Sequence, residues 1–201
     1  MIRTLHYLKA MGFNFFEYNL KNNTKLSFDE LKKSVAKCTL CQFYKMRKFT
    51  LMEPNLKPVK LMILSTLAEQ SENKSGILLN STKGDKLKLY LRENLGICEE
   101  EFYFSYVFKC FSGKKVDNFS LQSCFPFFLN ELKLVRPNFL LCLGEYAFKA
   151  LGFDQFNSLR GEIFSYNESF IMPSFELEFI EKNPSYEKIF IQDLQKIKGY
   201  L

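Results

Sequence analysis

One histidine and no tryptophan occur in this 201-residue chain. The lone imidazole, His6, excludes any site that needs two histidines, whether as metal ligands or as an acid–base pair. It is read as a surface or packing residue. No apolar run approaches the roughly 20 residues of a membrane-spanning helix, so no membrane partner is expected. The opening Met1–His6 lacks the apolar stretch of a secretory signal, and a cytoplasmic location is expected. Internal repeats and low-complexity tracts are absent as well, which leaves an ordinary globular chain.

What is present is 47% hydrophobic residues, ample to close a core, in a length that most simply makes one monomeric domain. The net charge of +6 suits a nucleic-acid partner without demanding one. Six cysteines in a chain expected to be cytosolic favour metal binding over disulfides. Cys38 and Cys41 form a Cys-x-x-Cys pair, and Cys110 and Cys124 are distant singles. Thiolates are soft ligands for iron or zinc. Two of them three residues apart can come from one turn, the others from wherever the fold brings them. These four are therefore the candidate metal ligands, stapling an N-terminal segment onto the body of the domain. Tetrahedral zinc uses the same donors, but zinc sites mostly take two close pairs; one pair with two remote singles suits an iron–sulfur cluster better. Cys142, inside Phe139-Leu140-Leu141-Cys142-Leu143, reads as core.

Along the chain, residues 1–26 read as an appended helical segment, with Leu5, Leu8 and Met11 at helical spacing, and 27–201 as the single domain. Ser27 and Glu30 form a capping-box signature for a helix running into Cys38. Val59–Leu64, Phe102–Phe108, Asn138–Leu143 and Ser169–Met172 read as strands, and residues 65–84 as a loop. Helices are expected near Asp85–Leu95, Phe119–Val135, Glu145–Leu151 and Ser185–Gly199. Strands alternating with helices imply a three-layer α/β/α sandwich around a four-stranded, mostly parallel sheet. Its functional crevice lies beyond the carboxyl ends of the strands, at Ser65–Glu69, Lys109–Phe111, Gly144 and Ser174–Glu178.

From about Lys37 onward, an ordered set of short motifs resembles the family 4 uracil-DNA glycosylases, the iron–sulfur branch of that superfamily. The set comprises Cys38-Thr39-Leu40-Cys41 with Arg47; Glu72, Gly76 and Gly84 in the first loop; and Tyr103, Val107, Lys109 and Cys110 at the second strand. Cys124 opening a helix, Leu143-Gly144-x-x-Ala147, Arg160-Gly161 and Met172-Pro173-Ser174 complete it. The resemblance implies a 4Fe–4S cluster on the four cysteines, and enzymes that rotate a uracil nucleotide out of DNA and hydrolyse its glycosidic bond.

The pocket positions that the resemblance implies depart from the family at every point. Ser65-Thr66-Leu67-Ala68-Glu69 stands where the family reads Gly-Glu-Ala-Pro-Gly, so Thr66 replaces a water-orienting acid and Leu67 follows it. Leu79 replaces the Phe that stacks on the base, Tyr106 the Asn that reads the uracil edge, and Glu176 the His that stabilises the departing uracil anion. An ionised carboxylate there has the wrong sign, and losing one donor to a developing oxyanion typically costs ~10²–10³ in rate. If Tyr106 fills the uracil position, the pocket is expected to be shut. Glu176, Glu69 and Tyr106 are the candidates for replacement chemistry, since carboxylates in unlike environments can split acid and base roles.

Around this crevice, Lys83, Lys86, Lys88, Lys109, Lys114 and Lys115 are candidate phosphate contacts or a solvated basic face. Leu177, Phe179 and Ile180, with Lys182 after them, are candidates for a minor-groove wedge, opposed by three nearby glutamates. Three readings follow. One is a uracil-DNA glycosylase-like protein that binds DNA or a repair partner, with uracil excision weak or lost. The second is an active glycosylase of changed base specificity. The third is a cluster-stabilised interaction module that docks a protein partner through the N-terminal segment.

Overall fold

Ser27 starts the first helix of the computed structural model, which describes residues 26–113 and 115–201. The appended segment apart from Leu26, His6 within it, and Lys114 lie outside the described residues. The Ser27 hydroxyl accepts the Glu30 amide at 3.3 Å and the Glu30 carboxylate accepts the Ser27 amide at 2.8 Å, a reciprocal cap. Helix α1 (Phe28–Lys37) buries Phe28, Leu31 and Val35 on one stripe and stops where Cys38 turns extended.

Five strands form one sheet: β1 (Leu61–Ser65), β2 (Phe102–Tyr106), β3 (Phe139–Leu143), β4 (Phe164–Tyr166) and β5 (Ser169–Ser174), in the order β2-β1-β3-β5-β4. All pairings are parallel except β4 with β5. β1, β2 and β3 are buried along their whole length, which is why they read as continuous apolar runs. Side chains alternate between two cores. Met62, Leu64, Tyr103 and Leu140 face the layer of α1, α4 (Asn118–Val135) and α5 (Glu145–Ala150). Ile63, Phe104, Leu141 and Met172 face the layer of α3 (Thr82–Leu95) and α8 (Glu187–Ile197). The α/β/α sandwich is therefore as expected.

Three details differ from expectation. The sheet has five strands rather than four, because Asn167, at φ 53°, closes a two-residue hairpin that adds β4 antiparallel to β5. The stretch read as a loop over 65–84 contains α2 (Gln70–Ser75), started by a capping box in which the Glu72 carboxylate accepts the Glu69 amide at 2.7 Å. The expected wedge is α7 (Leu177–Lys182), whose Leu177 and Ile180, three residues apart, point into the core. Crossovers leave β1 toward β2 on one side and β3 toward β5 on the other. The crevice at this reversal is where open α/β sheets place their ligands.

Candidate functional site

The carboxyl ends of the strands open into a cavity of about 330 Å³. That volume is at the lower end of the ~300–1,000 Å³ of small-molecule sites. Leu67 follows β1, Tyr106 ends β2, Leu143 ends β3 and Glu176 follows β5, and all four line it together with Leu79 and Glu69. Of the expected pocket residues only Thr66 is withdrawn from the lining. It is buried, and its hydroxyl makes no hydrogen bond of ordinary geometry although it faces Glu176.

Tyr106 does not shut the cavity, contrary to the filled-pocket expectation. Its hydroxyl lies 3.0 and 2.9 Å from the two oxygens of Glu72, which holds the ring against the wall, edge-on to Phe104. Burial, and then the Glu72 charge, push the phenol well above its ordinary range, so it stays a donor. Glu72 is fully buried and also accepts the Leu79 amide at 2.6 Å. It organises the site, whereas the sequence offered it as the acidic residue of the first-loop motif and a crevice carboxylate; a Glu three residues after Glu69 also carries the capping signal. Leu79 sits at φ 56°, a strained conformation for a non-glycine residue. Gly84 permits that placement: a Cβ there would lie 2.2 Å from the Leu79 carbonyl oxygen.

The rim is charged. Lys83 bridges Glu69 at 2.5 Å and Glu178 at 3.2 Å, linking the start of α2 to α7. Glu176 packs over Gly144, where a Cβ would come within 3.2 Å of the Glu176 Cβ. Burial raises the Glu176 carboxyl above the ordinary carboxylate range, and Glu178 adds to this against the pull of Lys83. Among the described lining residues Lys83 is the one cation, and it is shared between two carboxylates.

Two of the expected DNA contacts, Lys109 and Leu177, are buried. Lys109 is 1% exposed, and its Nζ is ion-paired with the buried Glu131 and hydrogen-bonded to Ser105 at 2.6 Å, so it faces the interior rather than phosphate. Lys86 pairs with Glu181 at 2.9 Å, Lys88 with Glu99 at 3.1 Å and Lys182 with Glu178 at 2.7 Å. Leu177 is buried and cannot serve as a wedge, while Phe179 remains part-exposed, stacked on Phe175 with centroids 4.9 Å apart. Lys115 is exposed on the surface.

On the other face, Cys38, Cys41, Cys110 and Cys124 line one small cavity between α1, the turn at Gln42–Lys45, the end of β2 and α4. Among the described residues no group of three or more possible ligands is drawn to metal-binding distances. The surroundings nevertheless suit sulfur anions. Arg47 donates to Cys110 Sγ at 3.2 Å and the Lys109 amide donates to Cys124 Sγ at 3.2 Å. Burial pushes the Cys124 thiol up to about 12 and raises Cys38 and Cys110, so holding these sulfurs as thiolates calls for a cationic centre between them. A four-thiolate centre fits this donor set. Cys142 is fully buried in β3, as its sequence context indicates.

Among the described residues no helix is long and apolar enough to cross a membrane. Residues 53–195 match the family model described as the uracil DNA glycosylase superfamily. The chain is 21% identical over 187 residues to the Type-4 uracil-DNA glycosylase of Saccharolobus solfataricus, covering 87% of each chain. It is 21% identical over 184 residues to that of Sulfurisphaera tokodaii, covering 86% of this chain and 84% of the relative. Against the Type-4 uracil-DNA glycosylase of Archaeoglobus fulgidus, identity is 21% over 123 residues, or 60% of this chain and 61% of the relative.

Proposed function

From the premise that the chain belongs to the uracil DNA glycosylase superfamily, we propose that it is a DNA-binding, iron–sulfur member whose excision of uracil is weak or lost. One observation carries this reading: the cavity is open but acidic. Glu69, Glu176 and Glu178 line it, and its one described cation is already held by two of them. Uracil departs as an anion, so the site offers repulsion where charge develops. Tyr106 spends its proton on Glu72 and presents no amide to a pyrimidine edge.

Cys38, Cys41, Cys110 and Cys124 would hold the 4Fe–4S cluster, with zinc as the alternative occupant of the same donors. Bound there, it supplies cross-links among α1, β2 and α4. Arg47 and the Lys109 amide orient and stabilise the ligating sulfurs.

A second reading, an active glycosylase with a different base, is favoured by the part-buried Glu176 carboxyl. Kept neutral, it would donate a hydrogen bond to a leaving base rather than repel it. Single-turnover base release decides between the two. Anaerobically purified protein in excess would be mixed with uracil-, hypoxanthine- and xanthine-bearing oligonucleotides, single-stranded and duplex, with DNA binding measured across a salt series. The expected result is salt-sensitive binding without base release. Release that is abolished by Glu176→Gln would overturn the first reading and establish the second. Absence of salt-sensitive binding would leave the cluster-stabilised interaction module.

A further inference from the structure

The turn at 44–49 is fastened to two neighbouring segments. Asn73 of α2 accepts the Lys48 amide at 2.8 Å and donates to the Met46 carbonyl at 3.4 Å. The Phe49 ring lies against Gly76, 2.9 Å from where a Cβ would stand. The Met46 methyl lies equally close over Gly113, which itself lines the cavity. The three segments thus form one surface that begins at the cavity mouth.

That surface carries Lys45, Lys48, Lys74 and Lys115, all exposed. Among the described residues none of the four has a carboxylate within ion-pairing distance. The contrast with the α3–α7 side is sharp, since Lys83, Lys86 and Lys182 are each held there by glutamate. Between the free lysines stand exposed apolar faces: Phe49 is 50% and Ile77 60% exposed, and Tyr44 is exposed beside Lys45. Unpaired cations interleaved with exposed rings match a single strand, whose phosphates take the charges and whose bases stack on the aromatics. A rigid duplex or an acidic protein partner would use the lysines but make little of the rings.

We infer that single-stranded DNA reaches the cavity across this surface, over the 44–49 turn, Lys74–Ile77 and Lys115, and not over α7. The inference rests on the reading of the chain as DNA-binding and adds the route and the strand state.

The test is fluorescence anisotropy of a labelled, uracil-free oligothymidylate on the full chain across a salt series. Replacing Lys45, Lys48, Lys74 and Lys115 together by Gln should flatten the dependence of log affinity on log salt by about 0.7 for each phosphate no longer neutralised. The pair Lys86→Gln and Lys182→Gln should leave the slope as it is. Phe49→Leu, which keeps a side chain against Gly76 but removes the ring, should weaken binding about fivefold or more. An unchanged slope in the fourfold variant, or a flattened slope in the α7-side pair, overturns the route while the DNA-binding reading stands. Wild-type binding to duplex alone, or indifference to Phe49→Leu, overturns the single-strand assignment. No salt-sensitive binding by wild type removes the DNA-binding reading itself, and the inference with it.

Discussion

Tyr106 and Glu72 form a buried pair in which one phenolic proton is shared between two carboxylate oxygens, at 3.0 and 2.9 Å. The pair sets the shape of the cavity, because it pulls the largest side chain at the end of β2 against the wall. Tyr106→Phe keeps the ring and removes the donor, leaving Glu72 to the amides of Glu69 and Leu79. A hydrogen bond to a charged group is worth about 1.5–3 kcal/mol, and the urea midpoint should fall accordingly. An unchanged midpoint would show that water replaces the hydroxyl without cost.

Gly84 makes a sharper test, because two effects of opposite sign meet there. It lies in the first turn of α3, where Ala is favoured over Gly by up to about 1 kcal/mol. A Cβ at this position would stand 2.2 Å from the Leu79 carbonyl oxygen, which is backbone and has little freedom to yield. Overpacking of that kind costs about 1–3 kcal/mol, so the clash wins. Gly84→Ala should lower the melting temperature and disturb the Leu79 wall. A stabilised variant would mean that the two segments move apart at little cost.

The cysteine site is tested by its metal. Cys124→Ser should reduce iron and sulfide in the purified protein, bleach the visible absorbance of a cluster, and lower stability by loosening α1 from α4. Stoichiometric zinc without sulfide in wild type would assign the alternative occupant. Full iron retention in the variant would remove Cys124 from the ligand set.

How far the sequence revealed this arrangement depends on the range of the interaction concerned. β1 and β3 were legible because a strand buried on both faces must be apolar throughout. The Cys38–Cys41 pair was legible because its spacing is local, while Cys110 and Cys124 reach the same cavity only through the fold. β4 was not, being three part-exposed residues that exist as a strand only because Asn167 turns the chain back onto β5. Nor was α7: its Leu177 and Ile180 look like an exposed wedge until the core beneath them is known. Long-range partners hid the surroundings of Lys109 and Lys83, whereas Lys182 pairs with Glu178 one helical turn away. Glu131 lies 22 residues from Lys109 and Glu178 lies 95 from Lys83, and no local pattern announces such partners. For the same reason Tyr106 was expected to fill the pocket, since its partner sits 34 residues earlier on a helix read as loop.

Lys109 and Glu131 constitute a fully buried ion pair, with Tyr103 donating to Glu131 at 3.0 Å and Ser105 at 2.7 Å. Removing one member strands the other charge in the interior. Glu131→Ala should cost about 3–5 kcal/mol, whereas Lys109→Met with Glu131→Leu should recover much of that loss. Equilibrium denaturation of the two variants beside wild type checks both numbers. A double variant as unstable as the single would assign the cost to packing rather than to the stranded charge.

Glu176 governs the expected dependence on pH. Burial, followed by repulsion from Glu178, raises its folded-state pKa above the unfolded value of about 4.3. The folded protein then holds this proton more tightly than the unfolded chain. The stability contributed by that proton is fully present below the unfolded pKa and is lost as pH rises through the folded pKa. Glu176→Gln removes the titration while keeping nearly the same volume over Gly144. Relative to wild type the variant should gain stability steadily from about pH 4 upward, levelling off once wild-type Glu176 is ionised. Urea unfolding of both proteins across that range reads the difference. Parallel curves would show that Glu176 titrates as a solvated carboxylate, and the neutral-donor role in the second reading would fall with it.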